Sequence, residues 1–269
     1  MKGRYGVEMF IPNSNGVLQS ADFSGTSVGG VNLANNPRTI FNSETTVIND
    51  RLITMPLSIS RNTSRKGIDD INIIFGTGDM DRLAIAGTSP DNYIYSVQNS
   101  ESSLMSSAPV LTTASLGSPS SSSAQCPLPS SASGWKLQIN ALNGVSKTGA
   151  SVAMTYGKLA SKIVQYGSSA LVGVYQPQTS NACSMGNSCF FERDAACGYS
   201  KNSSCFSNAM IGGISVFGDA VFIGVSGNAG SESLAGGFSR TDNLISGKGN
   251  FTSTSSSGNL TVYGKQRKR

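Results

Sequence analysis

INIIFGTGDMDRLAIAGTSPDNYIYSVQ, residues 71–98, holds two strand signals of different kinds, separated by a glycine-punctuated loop. The first run, Ile71, Ile73, Ile74 and Phe75, is apolar and mostly β-branched, a composition that suits a pleated, packed surface. It stops at Gly76-Thr77-Gly78-Asp79, where glycine opens backbone angles that other residues disfavour. Pro90-Asp91-Asn92 is a turn cluster, and Tyr93-Ile94-Tyr95-Ser96-Val97 returns as the second strand. Just upstream, LITMPLSI (52–59) alternates enough to supply a third strand, with Pro56 at an edge or strand end because proline cannot donate to a ladder. Strand, strand, loop, strand is the phrase of one blade of a β-propeller.

The phrase recurs loosely along the chain. Residues 7–25 (VEMFIPNSNGVLQSADFSG) give an apolar run, a Pro-Asn-Ser-Asn-Gly turn and a second run; residues 171–198 repeat it with LVGVYQP and CFFERDAACG. A last copy starts at Ile211, IGGISVFGDAVFIGVSGNAG, and shows its first half alone, followed by a glycine and serine stretch over 227–258. Uneven recurrence of this kind predicts radially repeated four-stranded sheets with long insertions. The expected fold is therefore all-β, an incomplete quinoprotein-like β-propeller. Residues 1–101 would form its first blades and 135–263 further blades, ending in Asn259-Leu260-Thr261-Val262-Tyr263 as a last strand. The opening falls in mid-strand, as though the sheet began upstream.

Between those parts, residues 102–134 carry no charged side chain and are rich in Ser, Pro and Ala, so they read as a linker or insertion. The best helical pattern, over 150–162, is weakened by Gly157. Beyond the linker, Gly134-Trp135-Lys136-Leu137-Gln138-Ile139 alternates as a strand closed by Asn143-Gly144, and 158–166 pairs with 170–175 across Gly167-Ser168-Ser169. Of the formal charge of +5, Lys265, Arg267, Lys268 and Arg269 supply four in the tail 264–269, so the body is near neutral and no nucleic-acid partner is expected. No uninterrupted apolar segment follows the basic start, and Asp219 interrupts the most apolar window, so no membrane span is expected.

The chain has no histidine, which removes Ser-His-Asp and Cys-His centres and His-ligated zinc. Cys183, Cys189, Cys197 and Cys205 cluster without the tight CxxC knuckle of structural zinc, so they are disulfide candidates, which places the chain in an oxidising, extracytoplasmic setting. Cys183 with Cys189 and Cys197 with Cys205 is one of three connectivities; Cys126 is then the odd thiol. Asp79 and Asp81, with Asp91 beyond, are candidate calcium ligands, although a calcium loop carries oxygen ligands at alternate positions over about nine to twelve residues. The competing reading makes them turn aspartates bonded to backbone N–H groups. Glu192, Arg193 and Asp194 read as an exposed strand end with a local ion pair.

Taken in order, several motifs resemble the PilC/PilY family of type IV pilus tip adhesins and assembly factors. Ile73-Ile74-Phe75-Gly76-Thr77-Gly78 followed by Tyr93-Ile94-Tyr95-Ser96-Val97 is similar to that family's "FGTG … YAI" blade. Asn13-Ser14-Asn15-Gly16-Val17-Leu18 with Ala21-Asp22 resembles its "NDGMLHAFD" blade, with Gln19 in place of the histidine. Gly134-Trp135 with Leu137 resembles the "GW…L" strand opening a later blade; Tyr175-Gln176-Pro177, Cys183 and residues 189–194 resemble its ending, and 211–227 the next inner strands. The family's acidic calcium loop has no numbered match here. The resemblance implies a non-catalytic protein at a pilus tip or outer cell surface, with minor pilins and a host or abiotic surface as partners. Other classes compete: a secreted structural or lectin-like β-repeat protein, or a quinoprotein enzyme, which would repeat tryptophan docking motifs where this chain has Trp135 alone.

Overall fold

A computed structural model describes residues 8–13, 16–22, 38–43, 53–62, 70–78, 91–100, 110–119, 128, 132–178, 185–227 and 232–249. Among them the chain is all-β, with short 3-10 turns and no α-helix. The first sheet is the antiparallel meander β1 (Glu8–Pro12), β2 (Val17–Asp22), β3 (Arg38–Asn42), with β7 (Leu111–Thr112) added parallel to β3. The second runs β4 (Ser58–Asn62), β5 (Asp70–Gly76), β6 (Tyr93–Ser100), β8 (Gly134–Gln138). A ribbon of β9 (Asn143–Val145) and β10 (Ser151–Ala153) leads to the third sheet. There β11 (Lys158–Leu159) and β12 (Val164–Tyr166) both pair with β13 (Ser169–Gln176), followed by β14 (Asn187–Asp194) and β15 (Ser200–Phe206). The fourth holds β16 (Ala209–Phe217), β17 (Ala220–Gly227), β18 (Glu232–Ser233), β19 (Phe238–Thr241) and β20 (Leu244–Lys248), ordered β16-β17-β20-β19-β18.

Three apolar layers join these sheets in chain order. Leu18, Ile40 and Phe41 of the first sheet meet Ile73, Phe75, Tyr95 and Val97 of the second. From the opposite face of the second sheet, Ile74, Ile94 and Trp135 meet Ala170, Val172, Val174, Cys189 and Phe191 of the third. The other face of the third sheet, with Leu171, Tyr175, Phe190 and Phe206, meets Ile211, Val221, Ile223, Phe238 and Ile245 of the fourth. Neighbours in β5, β13 and β14 therefore point into different layers. Their apolar runs are continuous because a strand covered on both faces has no solvent side to fill with polar residues. Aromatic contacts add to the first layer, where Phe41, Phe75 and Tyr95 lie with ring centroids 4.9–5.7 Å apart.

The hairpin of 71–98 forms as β5 and β6, in antiparallel register from Asp70↔Ser100 to Gly76↔Ile94. The pairs β1–β2 and β12–β13 also form where the sequence places them. Other expectations are corrected. Residues 53–57 are not a strand: β4 starts at Ser58, beyond Pro56, although Ile53, Met55 and Leu57 still pack inward. Asn143-Gly144 is no hairpin turn but lies in β9, and the Gly-Trp strand is the fourth member of the second sheet rather than the opening of a later blade. Gly134 is required there, since its φ is +139° and a Cβ would overlap Ser96 O. Part of 102–134 is built into the fold, with β7 on β3, Leu116 buried, and the Lys136 ammonium donating to Thr113 O at 2.8 Å. Residues 150–162 form short strands and turns, in keeping with the weakness of the helical pattern there. The last sheet is not half a unit either: β18, β19 and β20 complete it within the glycine and serine stretch. The described strands form separate small sheets, with no closed barrel or propeller among them. Residues 259–263 and the tail 264–269 lie outside the described residues.

Candidate functional site

The Phe-Gly-Thr-Gly motif ends β5 in a buried clasp. Thr77 Oγ1 accepts the Tyr93 N–H at 2.9 Å and donates to Asn92 Oδ1 at 3.2 Å; Asn92 Nδ2 donates to Gly157 O at 3.2 Å. A larger polar seam runs between the second and third sheets. Ser96 Oγ donates to Asn72 Oδ1 at 2.7 Å, and Asn72 Nδ2 donates to Ala195 O at 3.0 Å. Gln165 accepts from Ser60 Oγ at 2.6 Å and donates to Ser58 O at 2.8 Å. The turn after β14 is held from the same side: Trp135 Nε1 donates to Ala195 O at 3.0 Å and Gln98 Nε2 to Ala196 O at 3.1 Å. Polar groups out of water are tolerated when bonded this fully.

At that end of the third sheet, charged side chains gather. Asp194 caps its own turn, accepting from Ala196 N–H at 2.9 Å and Cys197 N–H at 3.2 Å, and pairs with Lys201 Nζ at 3.5 Å. Lys201 Nζ also donates to Ser168 Oγ at 2.7 Å, Ser168 O at 3.1 Å and Ser169 Oγ at 3.1 Å, while Ser169 Oγ donates to Glu192 Oε1 at 2.7 Å. A serine–lysine pair becomes a nucleophilic centre when a neutral amine takes the hydroxyl proton. Here the hydroxyl donates to Glu192 and the amine donates to oxygen on every side, so the cluster ties β13, β14 and β15 together. Residues 192–194 are thus not an exposed strand end: Glu192 is fully buried, Arg193 is 9% exposed, and the ion pair is cross-strand. Burial by desolvation pushes the Arg193 guanidinium down to about 10, so it stays cationic at neutral pH.

The bridge within the described residues joins Cys189 to Cys205, directly opposite each other on β14 and β15, rather than Cys183 to Cys189 or Cys197 to Cys205. Cys197 is also disulfide-bonded. The Gly144 backbone of β9 lies against the Cys189–Cys205 bridge, and a Cβ there would overlap Cys205 Sγ. Cys126, Cys183, Asp79 and Asp81 lie outside the described residues; Asp91 is half-buried and accepts from Asn140 Nδ2. Among the described residues no three Cys, Asp or Glu side chains gather as a metal site, and no helix is long and apolar enough to cross a membrane. Asn72, Gln165 and Lys201 escaped the sequence reading. Asn72 left one signal, a lone amide inside an otherwise apolar run. No protein family, curated protein or solved structure matches the chain.

Proposed function

We propose that this chain is a non-catalytic module of a type IV pilus tip adhesin and assembly factor, built of propeller-type blades and displayed outside the cell. The observation that carries the reading is the order of motifs against the order of sheets. Asn13-Ser14-Asn15-Gly16 joins β1 to β2 in the first sheet, and the Phe-Gly-Thr-Gly and Tyr93–Val97 motifs pair in the second. Tyr175-Gln176-Pro177 ends β13 and Cys189–Asp194 lies in β14 of the third sheet, while 211–227 supplies β16 and β17 of the fourth. The motifs thus follow the sheets in order, as consecutive blades would, with the second sheet holding both the Phe-Gly-Thr-Gly motif and Gly134-Trp135. The bridge between Cys189 and Cys205 suits an oxidising compartment. Minor pilins and a host or abiotic surface are the partners this reading assigns.

The test is made in the native cell. Deleting the gene should reduce surface piliation, and a tagged copy should restore it and label pilus tips. Normal piliation, with the tagged protein elsewhere on the surface, would replace this reading with a structural or lectin-like surface protein.

A further inference from the structure

Gln165, Ala170, Arg193 and Ser200 stand opposite one another across β12, β13, β14 and β15. Residues paired in this way share a face of the sheet. Ala170 belongs to the layer between the second and third sheets, so the row faces the second sheet. Gln165 is fully engaged there with Ser58, Ser60 and Asn72. Arg193 is not. Its guanidinium carbon lies 5.6 Å from the centroid of the Phe191 ring, and its Nε is buried without a hydrogen-bond partner. The adjacent carboxylates are committed elsewhere, Glu192 to Ser169 and Asp194 to its own turn and Lys201.

Arginine is rarely this buried without a counter-charge. Its planar fork of N–H donors fits two oxygens of one oxyanion, and an aromatic ring beside the guanidinium holds its plane. We propose that Arg193 anchors an oxyanion site at the seam between the second and third sheets, taking a carboxylate, sulfate or phosphate group. This site goes beyond the pilus reading and does not depend on it.

The test is calorimetric titration of the whole chain with acetate, sulfate and phosphate at neutral pH and constant ionic strength. Wild type and K248Q, a control at an exposed lysine, should show saturable binding of at least one anion. R193Q should show none, and R193K, which keeps the charge but loses the fork, should bind roughly tenfold more weakly. Preference for acetate assigns a carboxylate-bearing ligand; preference for sulfate or phosphate assigns a tetrahedral one. Absence of saturable binding to wild type, or equal binding to R193Q, overturns the proposal. Should R193Q fail to fold, R193K decides: weakened binding supports the site and unchanged affinity overturns it.

Discussion

The two faces of the third sheet are buried in different ways. Toward the second sheet, Trp135, Phe191 and Val172 are laced with directional bonds from Asn72, Gln98, Gln165 and the Trp135 indole. Toward the fourth, aromatic and aliphatic side chains dominate, with Phe190 and Phe238 at 5.1 Å between ring centroids and the Ser188 hydroxyl donating to Ala209 O at its margin. Apolar contact is strong but indifferent to small slides, whereas a bonded amide tolerates one registration. The second and third sheets are therefore fixed by bonds that cross between them, while the face toward the fourth places its polar groups, Ser169 and Glu192, among apolar side chains that supply most of the buried area.

The largest test of that contrast is Trp135→Ala, which removes the biggest fully buried side chain and its bond to Ala195. Urea unfolding should show a loss of about 3–5 kcal/mol. Trp135→Phe keeps an aromatic ring and should lose only about 1 kcal/mol for the bond; an equal loss from both variants would make the indole bond, not the packing, decisive. Next comes the bridge, which closes a separation of 16 residues. Replacing both Cys189 and Cys205 by Ala should cost about 3 kcal/mol in the same measurement, and non-reducing peptide mapping of the unsubstituted chain should recover these two cysteines linked.

Asn72→Leu sharpens the comparison further. It strips Ser96 of its acceptor and Ala195 O of one donor, so about 1–3 kcal/mol should be lost. Leu171→Met, on the face of the third sheet toward the fourth, should cost under about 1.5 kcal/mol. Similar losses would erase the distinction between the faces.

The smallest effect is expected at the tip of the fourth sheet, where Lys248 lies 3.1 Å from Asp219. Its hydrogen bond, then its charge, hold the Asp219 carboxyl below the usual carboxylate range. A depressed carboxyl pKa adds stability above its unfolded value, and that stability is lost as pH falls through the folded value. Both side chains are solvated, at 78% and 70% exposure, so no change in the unfolding midpoint is expected from K248Q. An NMR titration should nevertheless show the Asp219 carboxyl moving upward in that variant.

How much of this was legible depends on whether the deciding contact is local. The β5–β6 hairpin and the Gly167-Ser168 turn are written in neighbouring residues, and both form. The clustered cysteines announced disulfides, but the pairing follows from the β14–β15 register, which the spacing does not contain. Glu192, Arg193 and Asp194 look like a solvated strand end until Lys201 and Ser169 close over them. The fourth sheet was half missed because Ser239 and Thr241 alternate with only Phe238 and Arg240 facing inward, too short a pattern to stand out among glycines. The charged cluster joins residues up to 33 positions apart and the polar seam residues about a hundred apart, as in Asn72 with Ala195, and no local pattern encodes either.

The central claim is that consecutive sheets face one another in chain order, and the second and third offer the most direct check. A Cβ at Gly76 would lie 3.3 Å from the Leu159 Cβ, a few tenths short of the roughly 3.5–4.5 Å that disulfides span. Gly76→Cys combined with Leu159→Cys, oxidised and mapped by non-reducing mass spectrometry, should give a folded chain with positions 76 and 159 linked and the bridge between Cys189 and Cys205 intact. A folded variant in which both new thiols stay free would contradict the stacking of these sheets.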